Sequence, residues 1–200
     1  MFGDLLLDGA WWEVTNRMAL RADVAAMLAD AGMHDAEVDE AVEDEHVRVR
    51  VYGEVVAAVA ASRRPDAERR IVALILRDPV SSVAKTAVVQ LVDEVAMGSA
   101  GPGEFQRWAA GLLPELRRLD AEGHGPFVRR RVHDWSVYLA IEDGRTPAAA
   151  ELAGTTPWMQ RMLAEKVTSL PVLTLLAEGG GTRKIRNIAG RRADALMRGP

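Results

Sequence analysis

The sequence predicts an all-α protein, a short α-solenoid of stacked helices behind an atypical N-terminal helical cap. Three observations predict it. Five prolines, Pro79, Pro102, Pro126, Pro147 and Pro171, stand 23, 24, 21 and 24 residues apart, and each precedes an apolar run. Proline suits the first turn of a helix, where its missing N–H has no intrahelical partner and its φ is already helical. An even series of helix starts reads as stacked units, because one helix pair cannot bury its apolar face alone. Pro65, Pro114 and Pro157 fall outside the series. Second, period-two alternation is confined to Val47–Tyr52, and a helical rhythm runs on both sides of it. Third, 200 residues at 48% apolar and 27% charged describe a folded chain with a real core, not a disordered one.

The elements follow in order. Asp4 to about Ala29 reads as a helix, with a potential break at Gly9 and with Leu5, Leu6, Trp12, Met18, Ala19, Val24 and Leu28 facing inward; Gly32 stops it. A long acidic helix is expected from about Asp35 to Ser62, in preference to a short strand near Val47. Arg63-Arg64-Pro65-Asp66 is a turn, with Asp66 as N-cap of a short helix ending at Arg77. Asp78 caps and Pro79 opens the next helix, whose inner stripe is Val83, Ala87, Val88, Leu91 and Val95. After the Gly98–Gly103 linker, a helix runs from Glu104 to Asp120 with a kink at Pro114. Phe127 to Glu142 is the most aromatic helix. Short helices follow at Pro147–Ala153, Pro157–Val167 and Pro171–Glu178. Gly179-Gly180-Gly181 reads as a hinge-like break, and Thr182 caps a last helix from Arg183 to Met197.

Residues 1–64 are expected to form the acidic cap or a small subdomain, and residues 65–200 the helical-repeat region of one continuous domain. Charge follows that division. Residues 1–60 hold 13 acids and 4 bases, whereas residues 121–200 hold 8 acids and 12 bases, within a net charge of −4. An acidic head and a basic tail make a dipolar chain, read first as two solvated faces that attract each other in a stack and second as a basic surface for an anionic partner. Arginine outnumbers lysine 22 to 3, which reads first as the coding bias of a GC-rich genome. The absence of cysteine excludes disulfides, thiolate metal sites and cysteine nucleophiles. It fits a reducing compartment, and a cytoplasmic location is expected. No apolar stretch is long enough to span a bilayer, and Asp4 and Asp8 break the start as a signal peptide, so no membrane partner is expected.

Two segments near the end align at an offset of 25: Gln160-Arg161-Met162-Leu163-Ala164-Glu165-Lys166 and Ile185-Arg186-Asn187-Ile188-Ala189-Gly190-Arg191. Each carries arginine, an apolar residue two places on, alanine, then a base. Leu170-Pro171-Val172-Leu173 stands between them. This pattern resembles the leucine-rich-repeat variant, in which an arginine-marked helix pairs with a proline-opened one. The stretch from Asp78-Pro79 through Val83, Ala87 and Leu91 is similar to the inner helix of a HEAT repeat, with Ala84 where that family usually has arginine. The resemblance covers about residues 66–198 and is clearest from Pro157 onward. It implies a helical solenoid used mostly to bind proteins and sometimes nucleic acid.

Few residues point to catalysis. Glu43 and His46 form an E-x-x-H pair inside the acidic run His34–His46. Di-iron bundles need two such pairs, and the chain has one, so a solvated helix face is the expectation and no cofactor is predicted. His133-Asp134 are adjacent, and neighbours on a helix point about 100° apart, so Asp134 is expected to reach Arg130 or Arg131 instead. HEAT-like DNA glycosylases use aromatic and acidic residues on a concave face. Trp108, Asp134, Trp135 and Trp158 are the imaginable counterparts, without a residue-by-residue match. The glycine run follows no strand, which argues against a phosphate loop.

The basic elements carry more. Arg129, Arg130 and Arg131 lie in the first turns of one helix, and Arg183, Lys184, Arg186, Arg191, Arg192 and Arg198 crowd the last. The sequence therefore predicts a non-enzymatic protein-interaction module, with Arg129, Arg130, Arg183, Lys184, Arg186, Arg191 and Arg192 as partner-binding residues. Nucleic acid is the alternative partner, because phosphates are bound by several cations on one side.

Overall fold

The computed structural model describes residues 4–33 and 37–198, with side chains from residue 14 onward. Among the described residues all regular structure is helical and no strand forms. The chain clusters into two compact units. One takes residues 1–98 and 110–128, and the other takes residues 99–109 and 129–200. The first holds 21 acids and 12 bases and the second 8 acids and 13 bases, a net of −9 against +5.

The first unit begins with α1 (Asp4–Asp30), α2 (Val38–Glu43), α3 (Glu45–Ser62), α4 (Pro65–Ile75) and α5 (Ser81–Gly98). Helix α3 packs against each of the other four. Its Tyr52, Val55, Val56 and Val59 are buried with Val24 and Met27 of α1, Ile71 and Ile75 of α4, and Leu91 of α5. Full burial of a side chain of this size is worth about 1.5–3 kcal/mol, so this apolar set contributes heavily to the unit's stability.

Several boundaries differ from expectation. The long acidic helix is two helices, because Asp44 leaves the helical conformation and its carboxylate accepts a hydrogen bond from His46 N at 2.7 Å, capping α3. The alternating Val47–Tyr52 segment lies inside α3. Its residues Arg48, Val51, Tyr52 and Val55 follow helical spacing into the core. The inner face of α1 is Leu20, Val24, Met27 and Leu28, whereas Met18 is 68% exposed. The expected inward residues Leu5, Leu6 and Trp12 lie outside the described side chains. Asp66 is not the N-cap of α4. Arg64 occupies that position without a side-chain bond, and Asp66 sits in the first turn, paired with Arg69.

Helix α6 (Pro102–Leu112) leads into a 3₁₀ turn (Leu113–Leu116) and α7 (Arg117–Ala121). The 3₁₀ turn falls at Pro114, where the proline lacks an N–H for the α-helical ladder. Then come α8 (Gly125–Glu142), α9 (Ala149–Ala153), α10 (Pro157–Lys166), α11 (Leu170–Gly179) and α12 (Arg183–Arg198). In the second unit α12 packs on α10 and α11, and α11 also packs on α9.

The even proline series does not mark an even series of helix starts. Pro102, Pro126 and Pro171 lie in first turns, but Pro79 and Pro147 stand two residues ahead of α5 and α9. Pro65 and Pro157, outside the series, open α4 and α10.

Candidate functional site

The second unit is held at its helix ends by polar side chains. Thr156 caps α10, its hydroxyl accepting from Met159 N at 3.2 Å. The carboxylate of Asp134, from α8, accepts in turn from Thr156 N at 3.0 Å and from Thr156 Oγ1 at 2.5 Å. Asp134 is buried and reaches Thr156, not Arg130 or Arg131 as the sequence suggested. The buried Gln160 amide donates to the carbonyls of Leu152 and Thr155 and accepts from Gly181 N at 2.8 Å.

That last bond pins the glycine run. Gly180 is buried, and a Cβ there would lie 2.6 Å from the Leu176 carbonyl and 2.9 Å from Ile185 Cγ2. The run is a tight packed connection between α11 and α12, not the hinge that its composition suggested.

Thr182 precedes α12, and its hydroxyl accepts from Ile185 N. Ile185, Ala189 and Ala193 form its buried face. Arg186 and Arg192 flank that face, half-buried, and donate inward. Arg186 Nη1 meets the Gly180 carbonyl at 2.6 Å, and Arg192 Nη1 meets the Ala164 carbonyl at 2.9 Å, near the end of α10. Both occupy carbonyls that a helix end leaves without an intrahelical donor. Arg183, Lys184, Arg191 and Arg198 are exposed. The seven sequence-predicted residues therefore divide. Arg183, Lys184 and Arg191 share the open side of α12, Arg129 and Arg130 are exposed on α8, and Arg186 and Arg192 are part of the scaffold.

A second surface feature joins α8 and α10. The Arg131 guanidinium stacks over the Trp158 ring at 3.7 Å, and Trp135 meets Trp158 and Tyr138 edge-on at 6.0 and 5.4 Å. Trp158 remains 42% exposed. Cation–π contact of this kind fixes an arginine on a surface without removing its charge.

The first unit holds a buried polar centre that the sequence reading missed. Arg48 Nε donates to Asp78 Oδ2 at 2.8 Å, and Tyr52 OH donates to the same oxygen at 2.9 Å. Asp78 Oδ1 accepts from Val80 N at 2.8 Å, and Arg48 Nη1 donates to the Ala41 carbonyl at 2.8 Å. Burial, reinforced by the Asp78 charge, pushes the Tyr52 hydroxyl well above its ordinary pKa. Asp78 thus ties α2, α3 and the approach to α5 together instead of capping α5. The signal was Arg48 itself, one arginine on the apolar stripe shared by Tyr52 and Val55.

Glu43 and His46 do not share one helical face, because α2 ends at Glu43 and the chain bends at Asp44. Glu43 pairs with Arg17. His34 and Asp35 of the same acidic run lie outside the described residues. Among the described residues no three His, Cys, Asp or Glu side chains converge on a metal-sized site, and no helix is long and apolar enough to cross a membrane.

Comparison with protein-family models, with curated proteins and with solved structures finds no match to this chain. The likeness to HEAT and leucine-rich-repeat-variant units rests on the sequence alone.

Proposed function

We propose that the chain is a non-enzymatic protein-interaction module in which α9 to α12 act as a short HEAT-like or repeat-variant stack. One observation carries this reading: the division of arginines on α12. The inner pair bonds the backbone of neighbouring turns, while the outer cations stay exposed on a rigid helix. A surface held this firmly loses little conformational entropy on binding. The sequential contacts α10 with α11 and α11 with α12 support the stack. Capture from the native host tests the reading. The wild-type chain is expected to recover a specific protein that Arg183→Glu/Arg191→Glu loses. Recovery of nothing above background overturns it.

The net charge of +5 on the second unit favours nucleic acid as the alternative partner. That reading requires salt-sensitive duplex binding that weakens in Arg183→Ala/Arg191→Ala. Absence of binding at low salt removes it.

A further inference from the structure

Lys184, Arg191 and Arg198 follow one another at seven-residue steps along α12, and all three are exposed. Seven residues is close to two helical turns, so the three stems fall within about 40° of arc and span about 21 Å. Asn187 and Ala195, also exposed, fill the positions between them. Two acids border the row. Asp194 is exposed on the same helix, and Glu165, at the end of α10, feels the Lys184 charge. Positive potential is therefore concentrated on a line. Leu196 and Met197, 44% and 63% exposed, lie off that line: Leu196 follows the buried Ile185, Ala189 and Ala193 stripe and Met197 stands between the two faces.

A second α-helix lying along α12 has the same rise and meets this line at its own seven-residue interval. Resting on the reading of the chain as an interaction module, we infer that the outward face of α12 docks an acidic helix of a partner protein. Its carboxylates, seven residues apart, lie over Lys184, Arg191 and Arg198. Charge complementarity selects the acidic partner. The acids that border the row, Asp194 and Glu165, favour a protein helix, whose carboxylates can be spaced to avoid them, over the continuous charge of a phosphate backbone. Asp194 and Glu165 make the spacing of the partner's acids matter, because carboxylates out of register meet them.

The test uses a fluorescent helical peptide of about 20 residues, long enough to span the row, with glutamate at seven-residue intervals on an otherwise neutral helix. Titration with the full chain is expected to give saturable binding that Lys184→Glu/Arg191→Glu/Arg198→Glu weakens about tenfold or more. Asp194→Lys is expected to tighten binding by about threefold, a gain that misfolding cannot imitate. A peptide of identical composition with its glutamates out of register is expected to bind several-fold more weakly. Equal binding of the two peptides overturns the inference, as does a DNA duplex that displaces the peptide with equal strength. Salt-sensitive dimerisation of the chain through these residues overturns it in favour of a second copy. If host capture succeeds and the peptide fails, the module reading stands and this inference falls; if both fail, both readings fall.

Discussion

In the first unit the buried polar centre joins opposite charges, Arg48 and Asp78, with Tyr52 on the same carboxylate. In the second the buried polar groups are Asp134, Thr155 and Gln160, and their partners are mainly backbone groups and Thr156 at helix ends. The two devices fail differently. A buried ion pair adds little beyond a well-packed apolar isostere, yet removal of one partner strands a charge in the core. An amide or hydroxyl bonded to backbone strands only a neutral dipole when lost. At Thr155 and Gln160 the second unit is therefore expected to lose stability in smaller steps than the first does at Asp78, with the buried carboxylate of Asp134 as the exception.

Asp78→Ala should show the largest effect. It leaves Arg48 buried at 2% exposure without its counter-ion and removes the acceptor of Tyr52 and Val80 N. The expected loss is about 3–5 kcal/mol in urea unfolding. Arg48→Met placed on top of Asp78→Ala should recover part of that loss, since the stranded charge goes with it. Additive losses would show that the pair does not act as a unit.

Tyr52 gives the same centre a pH signature. Its folded pKa is raised, so the neutral phenol is the form the fold favours. Below the unfolded pKa of about 10 the contribution is fully present; above it the unfolded chain releases a proton that the folded chain retains. Stability should fall with rising pH by up to about 1.4 kcal/mol per unit in that window. Tyr52→Phe should flatten most of that slope in alkaline melting curves, with Tyr138, also raised by burial, supplying a smaller remainder. An unchanged slope would show that Tyr52 is solvated in the native state.

For the second unit, Gln160→Leu removes one acceptor and two donated bonds, from the Gly181 N–H and to the Leu152 and Thr155 carbonyls, while keeping apolar volume. The expected cost is about 1–3 kcal/mol, below that of Asp78→Ala. A cost equal to or above it would overturn the contrast between the units.

Local signals carried most of the helices into view. Apolar spacing, proline and glycine located α1, α4, α10, α11 and α12 closely, and Thr182 was legible as a cap. Tertiary demands were not legible. Asp78 beside Pro79 has the local form of an N-cap, and nothing nearby reveals a guanidinium arriving from 30 residues away. Gln160 and Arg192 fit a repeat pattern as well as they fit their real partners, which lie 21 and 28 residues distant. The site was half legible for the same reason. Composition locates cations on α12, whereas only the phase of the helix against α10 and α11 divides them into bonded and open.

That division supplies the finest comparison, between two adjacent arginines. Arg192 is half-buried and donates to the Ala164 carbonyl, while Arg191 is exposed on the open side. Arg192→Ala should cost about 1 kcal/mol of stability, the net worth of one such bond and the packing of its stem. Arg191→Ala should change stability by less than about 0.5 kcal/mol, as surface substitutions do. Binding should reverse the order, because Arg191 is the residue that meets the partner and Arg192 acts only through the position of α12. Thermal melts and peptide titrations on the same two variants measure both quantities. Equal stability losses would show that Arg192 is not an anchor. Equal binding losses would place the contact surface on both sides of the helix, with α12 turned away from the packing that divides its arginines.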